Sequence, residues 1–187
     1  NTAHSNGMEL WIDWVANHTS WDNVWVKDHL DFYAEKDGER PYSPSGWHDA
    51  IQLDHGNSEL METMGDAMAY WVREFDIDGF RCDTAKHVEL SSWKALSDEC
   101  TKALNEWRAN NKGKVEAANW TDDFWMTAED YGSGVNKDNY FTQGGFDSKI
   151  NFSFTGGGGV PNSGSINNVY SDYANKINND PNFNVLS

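Results

Sequence analysis

Between residues 8 and 127 short apolar runs alternate with two long stretches of helical spacing, and that alternation leaves few architectures open. The first run, Met8-Glu9-Leu10-Trp11-Ile12-Asp13-Trp14-Val15-Ala16, is nearly continuous and follows Gly7, the pattern of a strand buried on both faces. From residue 58 to 75, Leu60, Met64, Ala67, Met68, Trp71, Val72 and Phe75 fall on one face of a helix. Its methionines read as core. Residues 76–83 form the next strand. Residues 91–108 repeat the helical pattern through Trp93, Leu96, Cys100, Leu104 and Trp107, with Ser91 or Ser92 placed to cap the start. Residues 124–127 read as a further strand, and strand, helix, strand, helix, strand is the order of a parallel α/β sheet.

Two regions break the pattern. Residues 19–57 lose periodicity and carry turn signals at Asp37-Gly38, Pro41, Pro44 and Ser45-Gly46. A loop of this length is usually functional, here a lid over a site. Residues 110–123 are polar and turn-like. After Glu129 the chain is rich in Gly, Asn and Ser; Gly156 to Gly159 lack the Lys-Ser/Thr of a phosphate-binding loop and read as a flexible connection. A short helix is expected around residues 166–177, and 183–186 read as the start of another strand.

Thirty Asp and Glu against fourteen Lys and Arg give a net charge of −16, which argues against a nucleic-acid partner and is compatible with a neutral substrate. No apolar run approaches the roughly 20 residues that span a bilayer, so no membrane segment is expected. Ten tryptophans offer flat faces for sugar rings or for core, and core is the better reading for most. Cys82 and Cys100 make no disulfide framework and no Cys-x-x-Cys motif. The chain starts at Asn1 without a leader pattern.

The run Gly79-Phe80-Arg81-Cys82-Asp83-Thr84-Ala85-Lys86-His87 carries the chemistry. Side chains alternate on a strand, so Arg81 and Asp83 share one face and Phe80 and Cys82 the other. A guanidinium beside a carboxylate favours its ionised form, and an oriented carboxylate at the C-terminal end of a parallel strand is a candidate nucleophile. An isolated Arg-x-Asp would more often be a structural pair. Here further segments fit one scheme. The run resembles the strand-4 motif of the α-amylase family of retaining glycoside hydrolases. Asp13-Trp14-Val15-Ala16-Asn17-His18 resembles that family's strand-3 motif, and Phe124-Trp125-Met126-Thr127-Ala128-Glu129 its strand-5 segment, in family order.

The resemblance implies a partial (β/α)8 barrel, about strands 3 to 6, formed by residues 1–18 and 58–187, with an irregular insertion domain at 19–57. A whole barrel takes about 250 residues, so 187 imply a piece of one. The activity implied is cleavage of α-1,4-glucosidic bonds in starch or maltooligosaccharides with retention, by double displacement. Asp83 would be the nucleophile and Glu129 the acid/base, with a raised pKa beside an anionic neighbour. Asp130 rivals Glu129, since adjacent strand residues face opposite ways. His18 resembles the histidine that binds sugar in the cleavage subsite, although an isolated histidine there would be structural. Arg81 holds Asp83, and Lys86 and His87 resemble residues on the acceptor side or form a solvated pair. Tyr131 stands where the family commonly has Trp.

The family's calcium would take the side chain of Asn17 and the backbone carbonyl of His87. Gln52, in Ala50-Ile51-Gln52-Leu53-Asp54, stands where the insertion domain usually supplies an aspartate. No His-Asp like the strand-7 motif follows Glu129; His48-Asp49 lies in the insertion. The isolated chain is therefore expected to be inactive. The whole protein resembles secreted or periplasmic bacterial enzymes. An oligosaccharide-acting α-glucosidase or glucanotransferase, or a non-catalytic carbohydrate-binding relative, would share much of this pattern.

Overall fold

The computed structural model describes residues 2–119, 123–133, 138–152, 167–168, 170–171, 174–175 and 185–186. Its strands, in chain order, are β1 (Trp11–Trp14), β2 (His18–Thr19), β3 (Ile51–Gln52), β4 (Gly79–Cys82), β5 (Trp125–Ala128), β6 (Ser148–Ile150) and β7 (Val185–Leu186). The helices are α1 (Thr2–Ser5), α2 (Trp25–Asp28), α3 (Ser58–Phe75), α4 (Leu90–Asn110), α5 (Val115–Asn119) and α6 (Asn139–Gln143). Strands β1, β4, β5, β6 and β7 form one parallel sheet in that order, with α3 and α4 packed together between its strands in sequence. Parallel strands joined by helical crossovers are the repeating unit of a barrel wall. The start of β7 falls within the expected strand at 183–186, whereas Gly156 to Gly159 lie outside the described residues.

Register decides which side chains share a face. Trp11 is level with Gly79 and Trp125, and Asp13 with Arg81 and Thr127. The Trp11 and Trp125 rings stack at 5.9 Å across Gly79, where an added Cβ would sit 2.6 Å from the Trp125 carbonyl oxygen and 3.2 Å from the Trp11 ring. Only glycine fits there. On the opposite face Phe80, Cys82, Met126 and Ala128 are buried beneath the helices with Met68, Val72, Leu96 and Cys100. Cys82 behaves as the small buried hydrophobe expected, its thiol pushed well up by burial.

Helix α3 has the expected bounds. Asn57 Oδ1 caps it, accepting from the Glu59 and Leu60 amides at 2.9 and 3.1 Å, and Asp76 ends it in the left-handed region at φ 54°. Its buried face is narrower than the periodicity predicts: Leu60, Met64, Met68 and Val72 are buried, but Trp71 and Phe75 are exposed beside Tyr70. Helix α4 is its main helical partner among the described residues, and the Trp71 side stays uncovered. Helix α4 buries all five expected residues but begins at Leu90 after Glu89, so neither Ser91 nor Ser92 caps it, and Ser92 is buried instead. The expected double burial of β1 is absent. It is an edge strand, and Asp13, Val15 and Leu10 are exposed. The short helix α5 lies in the stretch read as turn-like.

Residues 19–57 are more ordered than their lost periodicity implies. Strand β2 pairs antiparallel with β3, His18 opposite Gln52, and the Leu53 amide donates to the Asn17 carbonyl at 2.9 Å. Asp37 and Gly38, both at positive φ, turn the chain so that Lys36 and Glu39 exchange backbone hydrogen bonds. Phe32, Tyr33, Ile51 and Leu53 join the main core. Backbone pairing between distant residues, which periodicity does not register, fixes this segment.

Candidate active site

The strand ends put three carboxylates around one cation. Arg81 Nη1 donates to Asp13 Oδ1 at 2.9 Å and Oδ2 at 3.1 Å, and to Asp83 Oδ1 at 2.6 Å; Nη2 lies 2.9 Å from Glu129 Oε1. The four groups come from β1, β4 and β5 or the residues just past them, at the C-terminal ends of neighbouring parallel strands. Ladder hydrogen bonds continue past the strands: the Asp83 amide donates to the Trp14 carbonyl and the Glu129 amide to the Cys82 carbonyl, each at 2.9 Å. This holds the backbone of both candidate residues. Asp83 and Glu129 are mostly shielded, whereas Asp13 is open to solvent at 62% exposure.

Thr84 adds a backbone donor. It adopts φ 47°, unfavourable for a β-branched residue, and in that conformation its amide donates to Glu129 Oε2 at 2.9 Å. Glu129 thus accepts from both Arg81 and Thr84 and, with Asp83, shares one guanidinium; the contrasting surroundings expected for the two carboxylates are not found. Asp130 turns away. Its Oδ2 accepts from Lys149 Nζ at 2.8 Å, on the opposite face of the sheet from Glu129.

His18 and His87 flank Trp47, whose ring meets each imidazole edge-on at centroid distances of 5.1 and 5.0 Å. Trp47 lies in the 19–57 segment and, with His18, Ser20, His48, Asp49 and Thr84, lines a cavity of about 490 Å³. Burial pulls the His18 pKa down first of all, with Asp83 opposing and His87 adding to the shift; burial and then Lys86 lower His87. Both shifts favour the neutral ring. Lys86 points elsewhere, donating to the Tyr131 carbonyl at 3.1 Å with its ammonium over the Tyr131 ring. Sequence reasoning missed Asp13 as an Arg81 partner, Thr84 and Trp47. The first needed the register of β1 with β4, and the others had no signal in residue type.

A calcium ion can be tested against the donors present. Asn17 Oδ1 is buried with no hydrogen-bond partner among the described residues, a hard oxygen of the right kind. Calcium takes about 6 to 8 oxygens and gains affinity from charged ones. Among the described residues no three His, Cys, Asp or Glu groups converge to hold a metal, and Gln52, level with His18, brings no charge. The donor set does not fit a calcium site; among the described residues the Asn17 side chain reaches only the His18 ring, at 3.4 Å, and its backbone carbonyl accepts from the Leu53 amide just past β3.

Comparison with known proteins points to one family. The model of the α-amylase catalytic domain matches residues 42–167. The chain is 47% identical over 89 residues to the periplasmic α-amylase of Escherichia coli (strain K12), covering 46% of this chain and 12% of that protein. It is 31% identical over 134 residues to an α-amylase of Streptomyces lividans, covering 70% of this chain and 13% of that one. The chain therefore spans a small part of the length of these relatives. Among solved structures, a maltogenic α-amylase from Thermotoga neapolitana superposes with a TM-score of 0.55 at 30% identity, over 80% of this chain and 30% of its own. An α-amylase from Lactobacillus plantarum gives 0.61 at 23% identity, over 97% and 41%, a likeness of fold.

Proposed function

The chain belongs to the α-amylase family of glycoside hydrolases, and from that membership we propose that it is the central part of an enzyme cleaving α-1,4-glucosidic bonds in starch and maltooligosaccharides with retention. Residues 1–18 and 58–187 supply barrel wall, and 19–57 form an insertion domain that closes over the cleft. The observation that carries the reading is Arg81, whose guanidinium gathers Asp83 and Glu129 at the C-terminal ends of adjacent parallel strands. Retaining hydrolysis needs two carboxyl groups flanking one bond.

In the proposed reaction Asp83, oriented by Arg81, attacks the anomeric carbon, and Glu129 protonates the departing oxygen. Glu129 then takes a proton from the water that releases the sugar. His18 and His87, whose burial favours the neutral ring, offer hydrogen bonds to sugar hydroxyls rather than charge. Lys86, held by the Tyr131 carbonyl, is assigned to the acceptor side on the family pattern alone. The 187 residues alone are expected to be inactive, because no His-Asp carboxylate follows Glu129 to stabilise the oxocarbenium-like transition state. The neutral polymer substrate, together with the periplasmic relative, favours a place outside the cytoplasm.

The test uses the full-length protein and maltoheptaose. The first-formed product should be the α-anomer by proton NMR, Asp83→Asn should abolish turnover, and Glu129→Gln should lower it about 10²- to 10⁴-fold. A β-anomer, or full activity in Asp83→Asn, would overturn the proposal. Sugar products longer than the substrate would instead mark a glucanotransferase.

A further inference from the structure

Lys149 has no part in the chemistry proposed above, yet it is the charged side chain most completely removed from solvent, at 0% exposure among the described residues. It lies in the middle of β6, level with Ala128 of β5. Its ammonium has a full set of partners: Asp130 Oδ2 at 2.8 Å, Asp138 Oδ2 at 2.7 Å and Ser133 Oγ at 2.9 Å, with the Tyr140 ring 4.7 Å away. Asp138 also uses Oδ1 to accept from the Tyr140 amide at the start of α6. One buried cation thus ties β6 to the loop that follows β5 and to the next helix.

Burying such a cluster is expensive, and an apolar residue of similar volume would often hold the same place at less cost. What a methionine cannot do is fix a direction. Asp130 is the residue after Glu129, and because alternate residues face opposite ways, a strut on Asp130 behind the sheet sets where Glu129 points in front of it. Glu129 is held on its own side by Arg81 and the Thr84 amide. The backbone at residues 129–130, just past β5, is therefore held from both faces.

We propose that Lys149 is a positioning residue for the acid/base, its buried pairing with Asp130 aiming the Glu129 carboxyl at the leaving oxygen. This rests on the proposed role of Glu129. The consequence is a dependence on leaving group: a bond whose oxygen needs protonation feels the loss of aim, and a bond to a leaving group that departs unprotonated does not.

The experiment compares kcat/KM of the full-length enzyme on maltoheptaose and on α-maltosyl fluoride for Lys149→Met, with Glu129→Gln as reference. Lys149→Met should lose about 10²-fold on maltoheptaose, the scale of a small misplacement of a catalytic group, while changing little on the fluoride. A loss of equal size on both substrates, which general loosening would give, overturns the proposal, as does no loss on either. Glu129→Gln should show the same selectivity more strongly; if it does not, the assignment of Glu129 fails and the purpose of the strut with it. Should Lys149→Met fail to fold, Asp130→Asn, which keeps Lys149 paired with Asp138, decides by the same criteria.

Discussion

At the scale of single residues, chemistry and packing constrain different positions. Gly79 is set by space: a methyl group there meets the Trp125 carbonyl oxygen at 2.6 Å, so Gly79→Ala should destabilise by about 1 to 3 kcal/mol in urea denaturation. His18 and His87 are set by burial. Their folded pKa values lie below the unfolded value near 6.5, so the folded state binds fewer protons once the pH drops below that value. Their contribution is present above pH 6.5 and is lost as the pH falls through the lowered folded values. Imidazole proton NMR should find both midpoints below that of an unburied imidazole, and a midpoint at or above pH 6.5 would contradict the burial argument. Thr84 shows a residue held in an unfavourable backbone region because its amide serves Glu129.

At the scale of elements, the joints between segments matter more than the segments. Asn57 caps α3 through Oδ1 and, through Nδ2, donates to the Asp31 carbonyl and carboxylate at 3.0 and 3.1 Å, so it fastens the 19–57 segment to the helix. Asn57→Ala should cost about 1 to 2 kcal/mol by thermal unfolding, the upper end of a cap loss. Asp147 joins β5 to β6 by accepting from the Met126 amide at 2.8 Å, and burial raises its pKa to about 6. Here the folded state binds the extra proton, so stability is fully present below the unfolded value near 3.9 and falls as the pH climbs to about 6. Asp147→Asn keeps the acceptor and removes the charge. It should gain on the order of 1 kcal/mol relative to the parent at pH 7, after allowance for solvent screening, and nothing at pH 3.5. An equal gain at both pH values would show that the charge is not the cause.

At the scale of the whole molecule, the five-stranded sheet leaves β1 as an edge strand, Leu10 and Val15 next to it in sequence are exposed, and so are Trp71 and Phe75 on α3. The 187-residue chain by itself should therefore bind a hydrophobic dye and self-associate in light scattering, and should release no reducing sugar from starch. A monodisperse monomer that hydrolyses starch would contradict both expectations. The parallel order, the bounds of α3, the buried residues of α4 and the shared face of Arg81 and Asp83 were legible from periodicity, because local alternation alone produces them. The order inside residues 19–57, the exposure of β1 and of the Trp71 side of α3, and the third carboxylate on Arg81 were not. Each depends on which distant segment lies alongside. The amino-acid sequence by itself determined which residues could do chemistry and on which face of each element they sit, since those follow from residue type and a period of two or 3.6. Only the tertiary structure decided that Asp83 and Glu129 share one guanidinium, that Asp130 is turned to Lys149, and that Trp47 stands between two histidines. Register between strands and contact between remote loops arise from packing, and no local pattern encodes them.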